Sequence, residues 1–416
     1  MRVCLVSATY PDIHCGVGDF LGVLAPRLAQ EGVDVNVLTS RDPRVRASST
    51  NPRVLPTIES WGLAQAPALV KAVKTLQPDL VHIQYETHMY QRGPMIEFAP
   101  FLLKRAGYRG PIIFSVHEYH GPHLFSSRGL WEDLKAMNPR HLRRFFGRGE
   151  FLWELRCRAM ILQSDVITAT NEPMLAHLRR EFPSRADRVV LTPLSSIVPE
   201  RVGGEDRQQV RERLGIAPDE VLLVYFGFLR PDKRVEMVME AFVALAHEHL
   251  PVRLLVIAGK GDVGDPYEDY RAMLRQRFET LGTDGRASWC DYLPYEELAS
   301  HLDAADVAIL PLADGVQWRR SSFLACLRHS LAIVTTRGDR TPLEIREGEH
   351  ALLVPPDDLS ALLEAARRLV EDAALRQRLR VGARALYERR SWTQVVKSNL
   401  ETYDLALALQ RGGRRS

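Results

Sequence analysis

The 416-residue sequence predicts an α/β protein built as two similar halves, each around a parallel sheet. Three observations carry that prediction. Short apolar runs alternate with amphipathic stretches almost throughout, the rhythm of βαβ units whose sheets are covered on both faces. The rhythm pauses at 193–220, PLSSIVPERVGGEDRQQVRERLGIAPDE, where proline, glycine and charge concentrate and the first half reads as a linker, and then it restarts. The length also exceeds one ordinary hydrophobic core. In such sheets ligands bind beyond the carboxyl ends of the strands, so a central cleft between the halves is the expected site.

In the first half, Val3–Ser7 reads as a strand and Asp19–Glu31 as a helix, with Phe20, Val23, Leu24 and Leu28 on one face and Gly32 as its stop. Val33, Val35 and Val37 alternate as a strand, and Pro67 is placed to open a helix to Leu76. Leu80–Ile83, Ile112–Val116, Val166–Ala169 and Val189–Leu191 are further strands. In the second half the strands are Val221–Phe226, Val252–Ala258, Ala287–Cys290, Val307–Leu310, Ala332–Thr335 and Leu352–Val354, with a helix over Val235–Glu248. The tail, 358–410, is helical, with Trp392 between two helices.

A net charge of +3 argues against a molecule-wide polyanion binder, so any basic site is local, and no recognised nucleic-acid module frames the arginines. Five widely spaced cysteines without a C-x-x-C point to reduced thiols in a cytoplasmic protein. No apolar run approaches a membrane span, and MRVCLVSATYPD reads as a first strand rather than a signal peptide.

Several stretches invite chemistry. Gly16 and Gly18 form a G-x-G before a helix, but Leu21 stands where a dinucleotide fingerprint needs its third glycine. The loop suits an anion or a sugar, or is a plain helix start capped by Asp19. His117 ends a strand and is a candidate hydrogen-bonding or acid–base group, or an ordinary loop histidine. His117, His120 and His123 do not make H-E-x-x-H, since Gly121 interrupts it, and no metal is expected. After the glycine of Gly227-Phe228-Leu229-Arg230-Pro231-Asp232-Lys233, a lysine just before a helix suits a diphosphate, or is a solvated turn. The stretch 312–330, LADGVQWRRSSFLACLRHS, sets Asp314, Gly315 and Gln317 before Arg319, Arg320, Ser321 and Ser322 at a helix mouth. Arginine forks and free helix N–H groups suit a diphosphate clamp; the alternative is a solvated loop anchored by Trp318. The stretch 139–158 mixes arginines with Phe145, Phe146, Phe151 and Trp153, fitting either peripheral membrane contact or inward packing of a helical excursion.

Taken in order, these pieces resemble the GT-B glycosyltransferases, specifically glycosyltransferase family 4. The motifs are the Gly16/Gly18 loop, PDLVHIQYE, His117-Glu118, Gly227-Phe228-Leu229 with Lys233, Val256–Gly261, Ala304–Pro311 and Gly348–Val354. The resemblance spans nearly the whole chain. It implies two Rossmann-like domains: an acceptor domain at 1–198 and a nucleotide-sugar domain at 199–385, with a C-terminal helix at 386–416 returning to the first. It implies a retaining, metal-independent transferase that takes a nucleotide-diphosphate-sugar as co-substrate, without a cofactor. The acceptor would be a glycan, a lipid-linked compound or a small molecule.

By that resemblance Lys233 and Gly227 meet the donor diphosphate, and His117 contacts the transferred sugar. Gly16, Gly18, Gly315 and Gln317 belong to the loops around donor sugar or acceptor. The family's paired donor-loop glutamates fall at Gln317 and Ala325, so neither carboxylate is present there; Asp314 is the candidate replacement for the first. The family's arginine after the strand glycine is Phe228, with Arg230 the nearby cation. The missing pair leaves open a second reading, a non-catalytic GT-B partner or regulatory protein. A nucleotide-cofactor oxidoreductase is disfavoured by the missing third glycine.

Overall fold

A computed structural model of the chain describes residues 1–13, 15–86, 89–91, 93–117, 158–200, 203, 205–259, 267–282 and 285–413. The sequence readings at Glu118, His120, His123, Lys260, Gly261 and the stretch 139–157 lie outside these. Two compact units emerge: Met1–Pro193 with Val395–Ser416, and Leu194–Gln394. The first change of unit therefore falls at 193/194. The return falls within the last helix, at Val395, nine residues beyond 386.

The first unit holds a seven-stranded parallel sheet ordered β3-β2-β1-β4-β5-β6-β7. Its strands are β1 (Arg2–Val6), β2 (Asp34–Ser40), β3 (Arg53–Ile58), β4 (Leu80–Tyr85), β5 (Ile112–Val116), β6 (Val166–Ala169) and β7 (Val189–Leu191). Strands β1, β4, β5 and β6 are almost wholly buried and mostly apolar, as a sheet covered on both faces demands, with His82, Gln84, Ser115 and Thr168 as buried polar exceptions. Strand β3 was not predicted. Its Pro56 lacks the N–H that a central strand must supply, and the chain accommodates it at the sheet edge.

Helix α1 spans Gly16–Gln30, so Gly16 and Gly18 lie in its first turn rather than in a preceding loop. Cys15 takes the cap position without a side-chain cap bond, and Asp19 is a first-turn acid, not the cap. Helices α2 (Ala66–Leu76), α3 (Met95–Arg105) and α4 (Glu172–Glu181) follow. Asn171 caps α4 through Met174 N–H.

The second unit has a six-stranded parallel sheet ordered β10-β9-β8-β11-β12-β13. The strands are β8 (Val221–Phe228), β9 (Val252–Gly259), β10 (Ala287–Cys290), β11 (Val307–Leu310), β12 (Ala332–Thr336) and β13 (Leu352–Val354). Its helices are α5 (Arg207–Arg213), α6 (Val235–His247), α7 (Glu268–Glu279), α8 (Tyr295–Ala304), α9 (Ser321–Arg328), α10 (Leu359–Glu371) and α11 (Ala373–Glu388). Helix α12 (Trp392–Gly413) carries the chain back to the first unit. Each unit has its own continuous apolar core. No described helix is long and apolar enough to cross a membrane.

Candidate functional site

Strands β8, β11 and β12 are neighbours running in one direction, so their carboxyl ends share one edge of the second sheet. Three chain segments meet there. The first follows β8, whose penultimate residue Gly227 has a φ of 150° that suits glycine alone; a Cβ there would stand 3.8 Å from Ser322 Cβ. This places the first turn of α9 beside the end of β8. The chain then makes a 3-10 turn, Pro231–Lys233, and Arg234 takes a left-handed conformation (φ 47°) before α6 begins. Arg234 is held there by its own bonds to Pro231 O and to Asp357.

The second segment follows β11. Ala313 N–H donates to Asp232 O at 3.0 Å and Val316 N–H to Thr336 O at 2.9 Å, which tie the loop to both neighbouring strand ends. Gly315 has φ 78°, and a Cβ on it would lie 2.2 Å from Gly338 N. Only glycine fits that crossing. Trp318 is fully buried, with the Arg390 guanidinium 3.8 Å over its ring, and anchors the loop. Helix α9 starts at Ser321 with Arg320 in the cap position and no side-chain cap bond; the two serines are first-turn residues, not caps.

The charged groups form one cluster. Arg320 is 7% exposed and bridges two carboxylates: Nη1 donates to Asp232 at 2.8 Å and Nη2 donates to Asp314. Arg319 donates to Asp314 at 3.0 Å and to Gln317 Oε1 at 3.2 Å, and Gln317 donates to Asp314 at 2.9 Å. Asp314 thus accepts from three side chains. Arg230 leans towards Asp232 (3.5 Å) with its guanidinium 5.3 Å over the Tyr267 ring. Burial pushes the Lys233 amine down to about 7, helped by Arg320 and opposed by Asp232. Burial raises the Asp232 carboxyl, and Lys233 and Arg320 outweigh it, leaving it below the usual range. Beside Asp314 a cavity of about 330 Å3 is lined by Arg337, Gly338, Asp339 and Arg340. Ala325 is buried on α9 and offers no polar group.

In the first unit, His117 follows β5. Its N–H donates to Tyr85 O at 2.9 Å, its Nε2 lies 2.8 Å from Gln84 Oε1, and its ring meets Phe20 edge-on at 5.9 Å. Burial lowers its pKa to about 4, so the imidazole is neutral at physiological pH. Gly18 permits close packing of α1: a Cβ there would sit 2.9 Å from Thr9 Oγ1. Gly16 faces open space.

Sequence reasoning brought Asp314, Gln317, Arg319 and Arg320 to one loop, and Lys233 to the same strand edge. It missed Asp232 as the second carboxylate on Arg320, and Gln84 as the partner of His117. Gln84 was visible as a polar residue inside the apolar run LVHIQY. Among the described residues no histidine, cysteine or acidic cluster could hold a metal.

Two parallel-sheet α/β units of this kind define a GT-B chain. The comparisons give the family. Residues 15–194 match the model for Glycosyltransferase Family 4 and residues 220–372 the model for Glycosyl transferases group 1. The chain belongs to the family 4 glycosyltransferases. It is 23% identical to D-inositol 3-phosphate glycosyltransferase of Corynebacterium efficiens, over 99% of this chain and 97% of that protein. The Corynebacterium diphtheriae protein of the same name is 26% identical, over 92% and 90%. Among solved structures, sucrose-phosphate synthase from Thermosynechococcus elongatus superposes with a TM-score of 0.70 at 18% identity, covering 98% of this chain and 99% of that one. Anabaena HepE in complex with UDP and glucose does so at 0.68 and 14%, covering 97% and 99%. The relatives support a catalytic glycosyltransferase, not the non-catalytic alternative.

Proposed function

We propose that this glycosyltransferase takes its sugar from a nucleoside-diphosphate donor held at the β8–β11 edge, and transfers it with retention and without a metal. The observation that carries the reading is Lys233. It is half-buried in the turn after β8, with the charges of Arg320, Asp232, Arg230 and Arg319 around its amine, and the first turn of a helix such as α9 is a ready anion site. The leaving diphosphate gains negative charge as the glycosidic bond breaks. A fixed cation and oriented amides lower the barrier where that charge grows.

Arg320 and Arg319 complete the diphosphate grip in this reading. Asp232 and Asp314 balance their charge and hold them in place, so the arginines offer fixed donors and Lys233 supplies the net positive charge. Asp314 and Gln317 face the sugar hydroxyls in place of the missing glutamate, with Gly315 fixing the loop. The family resemblance assigns His117 to the transferred sugar and the Gly16/Gly18 helix start to the sugar or acceptor. The acceptor hydroxyl attacks from the leaving-group side and passes its proton to a diphosphate oxygen. Uridine is the first base to test, because HepE is bound to UDP. A polyol or sugar phosphate is the first acceptor class, following the names of the inositol-phosphate and sucrose-phosphate enzymes. Arg337 and Arg340 line the cavity beside Asp314 and suit such an anion.

The test is a thermal-shift screen of uridine, guanosine and adenosine diphosphates and their sugars, followed by turnover with chelator present. One nucleotide class should raise Tm, and its sugar should be consumed in chelator. Donor consumption abolished by chelator would sink the metal-independent mechanism.

A further inference from the structure

We propose that Gln84, backed by His82, positions His117 by fixing its imidazole as the neutral Nε2–H tautomer. The proposal rests on the reading that His117 meets the donor sugar, and it adds two residues to that site.

His82 and Gln84 share one face of β4, two residues apart, and Ser115 and His117 lie likewise along β5 and its end. Gln84 stands opposite Ser115 in register. Every residue of β4 is buried, so these polar groups would be costly unless bonded to one another. They form one connected chain. Thr168 and Ser115 hydroxyls lie 2.6 Å apart, and Ser115 Oγ is 2.7 Å from His82 Nε2. Gln84 Nε2 is 2.9 Å from His82 Nε2, and His82 Nδ1 is 3.0 Å from the hydroxyl of Tyr403 on α12.

Donor and acceptor rules then set the protons. An amide nitrogen only donates, so His82 Nε2 accepts from Gln84 and the His82 proton resides on Nδ1, donated to Tyr403. An amide oxygen only accepts, so His117 Nε2 must carry its proton towards Gln84 Oε1 at 2.8 Å. A second proton on His82 would set N–H against the Gln84 N–H. Burial acts in the same direction, lowering His82 to about 3 and His117 to about 4. His117 is left with Nδ1 as its one acceptor. In that form it receives a hydrogen bond from a sugar hydroxyl and cannot donate one. The edge contact to Phe20 and the backbone bond to Tyr85 O fix the rest of its placement.

The test is the imidazole 15N–1H correlation spectrum of the full chain labelled at histidine, with the His117 signals assigned by their loss in His117→Gln. The unmodified protein should show His117 as neutral Nε2–H. Gln84→Met, similar in size but unable to bond, should admit the Nδ1–H form and lower kcat about tenfold, with donor KM within about twofold. Gln84→Glu keeps an acceptor for His117 while His82 turns to its own Nε2–H form, and should restore the His117 tautomer and most of kcat. An Nδ1–H tautomer for His117 in the unmodified protein, which needs no variant to fold, overturns the proposal. So does an unchanged Nε2–H form in Gln84→Met. A tautomer that follows Gln84 while kcat does not would uphold the tether and remove His117 from the sugar.

Discussion

At the scale of single residues, Lys233 and Arg320 divide the work of the proposed donor site. Burial, and then the nearby Arg320, push the Lys233 amine down to about 7. A bound diphosphate favours the ammonium, so its pKa rises in the complex. Donor affinity is then fully present below about pH 7 and falls as pH rises above it. Calorimetry at pH 8 in buffers of different ionisation enthalpy should show proton uptake on binding of a nucleoside diphosphate, and none in Lys233→Met. Arg320 holds Asp232 and Asp314 with two arms of one fork. Arg320→Lys keeps the charge but not the two-pronged reach, and should cost about 1–3 kcal/mol in urea unfolding together with a fall in kcat. Full retention of both would show that the bridge does not order the loop.

At the scale of elements, glycines set two close approaches. Gly315 crosses Gly338 in a left-handed conformation, where a Cβ would meet backbone. Gly315→Ala should lower stability by more than about 1 kcal/mol and reduce turnover, because the loop carrying Asp314, Gln317 and Arg319 must move. In α1, Gly16→Ala should be neutral or slightly stabilising, by up to ~1 kcal/mol, since nothing lies within 4 Å. Gly18→Ala pushes on Thr9 and should destabilise. Thermal unfolding of the three variants checks the ordering. Equal effects at Gly16 and Gly18 would contradict it.

Most strands were legible because doubly covered strands read as unbroken apolar runs, as in VLLVYF of β8. Strand β3 was hidden by Pro56, and the start of α1 by the absence of a capping side chain. The donor loop could be recognised by its arginines. Their carboxylate partners were less visible: Asp232 lies 88 residues before Arg320 and meets it only through adjacency of β8 and β11. The polar chain of His82, Gln84, Ser115 and Tyr403 was hidden for the same reason, since strand register and the returning helix assemble it.

At the scale of the whole molecule, two of the buried histidines, His82 and His117, tie stability to pH. Both are neutral in the folded state down to about pH 4 for His117 and about pH 3 for His82. The unfolded chain takes up these protons from about pH 6.5 downward. Stability is therefore complete above that value and declines as pH falls towards 4 and 3, at about 1.4 kcal/mol per unit of depression. Urea unfolding across this range should show the decline, reduced in His82→Gln. A pH-independent difference between the two proteins would contradict it.

The central claim is that a nucleoside-diphosphate sugar reacts at the β8–β11 edge with Lys233 on its diphosphate. The most direct measurement is donor consumption by the full chain and by Lys233→Met, with Tm recorded for both. The expected result is turnover in the first, about a hundredfold or more lost in the second, and Tm values that agree within a few degrees. Equal turnover in the two proteins would contradict the site.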